Sequence, residues 1–438
     1  MKKYVKQFSL MLALILITAA ICSAISGCGD NPGDIDTRLT RPTSSTSSTS
    51  STSSSETSSS SSSSETTSSS TSASTSASTS ASTSATTSAT TDPPIIPTGL
   101  YKNPLTGLQS LNTDPTGKRP VAVVIDNIDR AYLTQKGLSQ ADIIYETLVA
   151  PGITRYLAVI QDYENVTEIC NVRSGRDYHI NLALGHNAIL VCHGGSNTAN
   201  YDFFTLAAQK FGSRWKFVDT CYEPMFAWAD YTEVYKTRVA ASNRGDLGGF
   251  NTVVNGTALK LVTSSKIANS KFLANGGTTA GISTGFTFSP TGYADMTTGS
   301  VSAQKINVQF TCTGAVGTKF VTFEYDAASG TYTRYQDNSK TGTGEVLPFT
   351  NVLVLGTTVT NAHGTSADPN MSLVTVTGSG TGYYFNRGKA VQITWSKPTD
   401  SSPLKIYAGG VELALSCGKT YVGYVETSYI SNPLLIGK

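Results

Sequence analysis

Charge of either sign is scarce in this sequence. Of its 438 residues only 14% are Asp, Glu, Lys or Arg, and the formal net charge is +2; a typical soluble domain carries roughly 25% charged residues. The long Ser/Thr tract does not explain the deficit, because 51 of the 62 charged residues fall in the last 340 positions and leave them lightly charged as well. Without a basic excess no surface can neutralise a phosphate backbone, so no nucleic-acid partner is expected. A polybasic membrane-surface protein is excluded on the same ground. The four histidines, His179, His186, His193 and His363, match no metal-ligand spacing, and acidic residues are sparse, so no metal is expected. No phosphate-cradling loop or dinucleotide fingerprint occurs, which leaves no cofactor to expect. The chain's later region contains five cysteines (Cys170, Cys192, Cys221, Cys312 and Cys417), an odd number with no C-x-x-C pair, so mostly free thiols are expected. What remains is rich in Gly, Thr and Tyr, the profile of an extracellular β-rich protein.

The N-terminus reads as a sorting signal. Lys2, Lys3 and Lys6 form a positive n-region, and Leu10 to Ile21 form an apolar h-region too short for a comfortable permanent span. It ends in Ile25-Ser26-Gly27-Cys28, which resembles the bacterial lipobox. That resemblance implies cleavage after residue 27 and a diacylglycerol on Cys28, two acyl chains that hold the protein to the membrane. From Thr43 to Thr91, 42 of 49 residues are Ser or Thr. Such a segment cannot bury apolar area to offset its ordering entropy, so residues 28–98 are expected to be a disordered tether. The 49-residue run spans on the order of 40 Å root-mean-square as a flexible chain.

The remainder is expected to be α+β. An N-terminal mixed α/β layer domain over 99–240 precedes a junction at 241–304 and a mostly antiparallel β domain over 305–438. Val121-Ala122-Val123-Val124-Ile125 reads as a buried strand, as do Tyr156 to Ile160 and Ala188 to Cys192. Ser139-Gln140-Ala141-Asp142 resembles a capping box, with a helix behind it carrying Ala141, Ile144, Tyr145 and Leu148. Segments 176–186 and 200–211 are also expected to be helical. In the second part, short β-runs alternate with Gly, Asn and Asp turns, and Asn386-Arg387-Gly388-Lys389 is a hairpin signal. Its aromatics, Tyr332, Tyr384 and Trp395 among them, suit a β core better than a sugar-stacking face.

The polar residues that could carry chemistry gather in the first part. Asp126 and Asn127 stand just past the end of a buried strand, where α/β sheets place ligand sites. Glu146 and Arg155 flank a Pro-Gly turn. Arg173-Ser174-Gly175-Arg176 lies at an expected helix start, suited to an anion. The bland alternative is that Arg173 or Arg176 pairs with Asp126, Asp142 or Glu146. His193-Gly194-Gly195-Ser196 follows a strand, and Ser196 with His193 and Asp126 offers a nucleophile, a base and an orienter.

The runs RPVAVVIDN, GLSQADIIYETLV, GITRYLAVIQ, NVRSGRDYHINLA and CHGGSN, followed by FEYDAASGTYTRY, TNVLVLGT, VTVTGSGTGYYFNRGKAVQITWSK and LSCGKTYV, resemble the YerB-like lipoprotein family. Its two domains are named for unknown function (domain of unknown function 3048). Where that family commonly reads Arg-Ser-Ala-Arg, this chain has Arg173-Ser174-Gly175-Arg176. The resemblance implies an envelope protein on the extracellular face of the bacterial cytoplasmic membrane, held there through Cys28. The expected ligand-binding group is Asp126, Asn127, Arg155, Arg173, Ser174, Arg176 and His193, and the expected partner is peptidoglycan or an envelope protein. The alternative expectation is a hydrolase of cell-wall glycan, peptide or polymer esters, with Asp126, Glu146, His193 and Ser196 as catalytic candidates.

Overall fold

The computed structural model describes residues 99–437, apart from 129–130, 132–134, 199–200, 212–216, 221–251, 269–284, 298, 315, 337–345, 363–370 and 432–435. The expectations for the leader, Cys28, the tether, Cys221 and His363 lie outside the described residues.

The protein is largely β, built from mixed and antiparallel sheets with few helices. Its first half supplies β1 (Val121–Asn127), β2 (Ile143–Ala150), β3 (Ile153–Ile160), helix α1 (Asp177–Gly185), β4 (Ile189–Cys192), helix α2 (Phe203–Phe211) and β5 (Val218–Asp219). The second half supplies β6 (Lys305–Phe310), β7 (Lys319–Asp326), β8 (Thr331–Gln336), β9 (Pro348–Phe349), β10 (Asn351–Thr357), β11 (Gly378–Asn386), β12 (Lys389–Lys397), β13 (Lys405–Ala408), β14 (Val411–Glu412), β15 (Thr420–Glu426) and β16 (Ile436–Gly437).

One 12-stranded sheet runs through both halves in the order β5-β4-β1-β3-β2-β15-β10-β11-β12-β13-β14, with Val301–Ser302 pairing β12 off the path. The seam is β15, which lies parallel to β2 on one side and parallel to β10 on the other. A second sheet, β9-β8-β7-β6-β16, is wholly antiparallel. Phe323 of β7 and Phe349 of β9 meet Tyr421 of β15 at ring separations of 4.8 and 5.5 Å, so aromatic side chains join the two sheets. Such pairs add attraction beyond the area they bury.

β1 is buried along all seven residues, between antiparallel β3 and parallel β4. That double cover is why its sequence is continuously apolar instead of alternating. The helix expected behind Ser139 is absent: Leu138–Gln140 form one 3-10 turn and Ile143–Ala150 form β2. Ile143, Ile144, Tyr145, Thr147 and Val149 are β-branched or aromatic, and a central strand buries both faces where an amphipathic helix buries one. The expected helices at 176–186 and 200–211 form as α1 and α2, with α1 packed on β4, β1 and α2. The β11–β12 hairpin forms as expected, with Arg387 and Gly388 at φ 52° and 69°, the left-handed pair that a tight two-residue turn requires. Tyr332, Tyr384 and Trp395 are fully buried. The four described cysteines, Cys170, Cys192, Cys312 and Cys417, are free thiols.

Candidate functional site

Parallel strands β1, β4 and β5 deliver their carboxyl ends to one side of the sheet. β1 ends in Asp126-Asn127, β4 runs into His193-Gly194-Gly195-Ser196, and β5 ends in Asp219 before Thr220. The loop before α1 is stitched across these ends by backbone hydrogen bonds. Arg173 N–H donates to Val124 O at 2.9 Å, His193 N–H to Arg173 O at 3.0 Å, and Gly175 N–H to Gly194 O at 3.0 Å. Gly175 and Gly195 both sit against the Phe203 ring, where an added Cβ would lie 2.6 and 2.0 Å from ring carbons. That clearance accounts for glycine at 175.

Six of the expected residues meet on this loop. The structural ion pair weighed above against an anion site forms for Arg173: Asp126 Oδ2 lies 3.2 Å from Arg173 Nε, and Asp126 Oδ1 accepts the Ile128 N–H at 3.2 Å. Arg155 stands opposite Asp126 in the β1–β3 register, and its Nη1 donates to Ser174 O at 2.6 Å. Arg176 occupies the N-cap position of α1, and its Nη1 donates to Gly175 O at 3.1 Å. His193 Nδ1 lies 2.7 Å from Thr220 Oγ1. Arg173 keeps 19% of its side chain exposed, whereas Asp126, Arg155, Ser174, Arg176 and His193 are buried.

Sequence reasoning missed the residues that brace this group. Gly194 N–H donates to Asp219 Oδ1 at 2.9 Å, and Thr220 holds His193. Val218-Asp219 repeats the apolar-then-Asp pattern of Ile125-Asp126, a signal that could have pointed to it. His179 is fully buried; its Nδ1 accepts the Arg176 N–H at 3.1 Å and its Nε2 lies 3.3 Å from Thr147 Oγ1. Burial, then the charges of Arg155 and Arg176, hold its imidazole well below the usual histidine range. It is therefore neutral at pH 7, with its proton on Nε2 facing Thr147.

Two expected residues belong to a different cluster. Glu146 is fully buried and receives Arg334 Nη2 at 2.9 and 2.8 Å and Nε at 3.1 Å. Tyr421 OH, Thr154 Oγ1 and Asn127 Nδ2 also donate to it, at 2.7, 2.7 and 3.0 Å. Burial works against the Arg334 charge, yet Glu146 beside it holds the guanidinium pKa above its ordinary value. Asn127 turns inward to Glu146 and Gln135, and Lys319 Nζ donates to its carbonyl. Ser196 is buried behind the loop, its carbonyl accepting the Phe203 N–H at 2.9 Å. Among the described residues no three His, Cys, Asp or Glu side chains gather closely enough to hold a metal ion.

The protein is thus a mixed-sheet protein seamed by a late strand, with Arg173-Ser174-Gly175-Arg176 laid across the carboxyl ends of β1 and β4. Residues 105–218 match the N-terminal domain described as "Protein of unknown function (DUF3048)", and residues 308–422 match the C-terminal domain of the same description. The chain belongs to this family. It is 45% identical over 95 residues to "Putative lipoprotein YerB" of Bacillus subtilis (strain 168), an alignment covering 22% of this chain and 28% of that protein. A crystal structure of YerB protein from Bacillus subtilis shares the fold, with a TM-score of 0.56 at 23% identity, over 74% of this chain and 96% of that one.

Proposed function

We propose that this protein is a cell-envelope lipoprotein that binds a wall component through the Arg173 face of the loop. In this reading residues 1–27 are a cleaved leader, and Cys28 carries the lipid on the outer side of the cytoplasmic membrane. Residues 28–98 then extend the folded part, with its α/β portion at 99–240 and its β portion at 305–438, into the wall layer. The carrying observation is the partial exposure of Arg173, 19% of its side chain, which persists although its Nε lies 3.2 Å from Asp126 Oδ2. Asp126 orients that guanidinium at the loop whose carbonyls Ser174 O and Gly175 O receive buried Arg155 and Arg176. A pre-oriented guanidinium suits a carboxylate or phosphate on the ligand, which it meets with paired N–H donors.

Hydrolysis receives less support from this geometry. Glu146 is occupied by a buried counter-ion and three further donors. The orienting partner that His193 would need is replaced by Thr220, while Asp126 faces Arg173. Retention of the full chain on purified peptidoglycan, set against its Arg173→Ala variant, tests the binding role. A fall of fivefold or more in the retained fraction is expected. Equal retention of the two proteins, or none of either, overturns it.

A further inference from the structure

Beyond the Arg173 face, a cleft of about 740 Å³ opens between the Asp177–Asn181 turn of α1 and residues 373–377 of the second half. Its size falls among small-ligand sites, which span roughly 300–1,000 Å³. Asp177 and Asn181 stand one helical turn apart on its α1 wall, with Tyr201 and Asp202 beside them. Asn181 is only 6% exposed, and its amide oxygen has no hydrogen-bond partner among the described residues. An orphaned buried acceptor is unfavourable, and a ligand donor that reaches it relieves that cost.

The carboxylates of the cleft already have donors. Asp177 Oδ1 accepts the Tyr201 hydroxyl at 2.8 Å, Asp202 accepts the Thr205 hydroxyl at 2.5 Å and the Phe204 N–H at 3.0 Å, and Asp400 is paired with Lys210 at 2.6 Å. Each carboxylate keeps further lone-pair capacity for hydroxyl donors, and Lys210 answers the charge of Asp400. Leu206 and Leu373, both half-buried, give the cleft apolar surface, and Thr375 and Thr377 add hydroxyls to the far wall. Acceptors on one side and apolar patches with hydroxyls on the other match a molecule with O–H groups at its rim and C–H faces. We propose that the cleft binds an uncharged polyhydroxylated ligand, an oligosaccharide, with its hydroxyls donated to Asp177, Asn181 and Asp202. Its residues are separate from the Arg173 face, so either assignment stands or falls without the other.

Calorimetric titration of the full chain with chitotriose, maltotriose and cellotriose tests this, with spermidine as a cationic control. Saturable binding of at least one trisaccharide is expected, weakened tenfold or more by Asn181→Ala. Thr360→Trp, a substitution at an exposed position on the cleft wall that leaves the core untouched, should have the same effect. Arg173→Ala should leave it unchanged. Three outcomes overturn the proposal: no saturable binding of any trisaccharide at 10 mM, trisaccharide binding unaffected by Thr360→Trp, or spermidine bound in preference to all three sugars. If Asn181→Ala does not fold, Thr360→Trp alone carries the test.

Discussion

Arg334 reaches Glu146 across 188 residues of sequence and grips it with Nη2 at 2.8 and 2.9 Å, in a pocket where both side chains are within 2% of full burial. The pair ties β8 of the antiparallel sheet to β2 of the central sheet. Taking both charges out of water is costly, so the pair's net contribution to stability is small, but breaking it strands one charge inside the protein.

Arg334→Met is therefore expected to lower unfolding stability by about 3–5 kcal/mol. Glu146→Gln combined with Arg334→Met should recover part of that loss, because neither buried charge then remains. Urea unfolding of the full chain reads both. A double variant no more stable than Arg334→Met alone would show that packing, and not charge, dominates the site.

Asp142 sets a dependence on acidity. Burial raises its carboxyl from 3.8 to about 6, against the opposing pull of the Gln161 N–H, nearby Lys419 and the Asn103 amide. A carboxyl whose folded pKa is raised favours the folded state when protonated. The contribution is complete below pH 3.8 and is lost as the pH rises through about 6. Over that window the change is on the order of 3 kcal/mol. Unfolding free energies measured from pH 4 to 7 should carry this downward component in the native chain and lose it in Asp142→Asn. An identical slope in both proteins would count against it.

Lys397 behaves in the opposite sense. Its Nζ donates to the carbonyls of Thr399, Asp400 and Ser402 at 3.1, 2.6 and 2.7 Å. Burial lowers its pKa to about 8; Asp400 opposes that shift and Lys210 adds to it. The unfolded chain holds the proton more tightly, so stability should rise between about pH 8 and 10.5 as the buried ammonium is relieved of its charge. Lys397→Met should abolish that rise, visible as a flat profile over the same range in denaturant titrations.

Gly175 is a packing constraint. Alanine there would bring its methyl carbon to 2.6 and 2.7 Å from Phe203 Cζ and Cε2. Overpacking of this kind costs about 1–3 kcal/mol. Phe203→Leu should restore most of the stability of Gly175→Ala, so the two changes should be strongly non-additive in thermal unfolding. Simple addition of their separate effects would refute direct contact as the cause.

Much of the local structure was legible because local forces made it. The Val121–Ile125 run, the Arg387-Gly388 turn and the two helices each follow from neighbouring residues. The run at 143–149 was misread because five of its seven residues suit a strand, while their spacing also satisfies a helical face. The hairpin with β3 across Pro151-Gly152, and the pairing of Ile143 with Thr420 of β15 277 residues later, decide for the strand. The convergence of Asp126, Arg155, Arg173, Arg176 and His193 was visible as a set of strand and helix ends. Their division from Glu146 was not, because Arg334 and Tyr421 come from the other half of the chain and carry no short-range mark.

The placement of β15 has a consequence for how the protein is made. Synthesis proceeds from the N-terminus, so β2 emerges long before the strand that must lie beside it. Until residues 420–426 arrive, β2 keeps an open edge whose Ile143–Val149 stretch is buried in the finished protein. An uncovered strand edge of this composition is prone to pair with other chains. A chain cut short anywhere before Thr420 would leave the sheet unfinished, so the strands of the first half depend for their completion on residues 420–426.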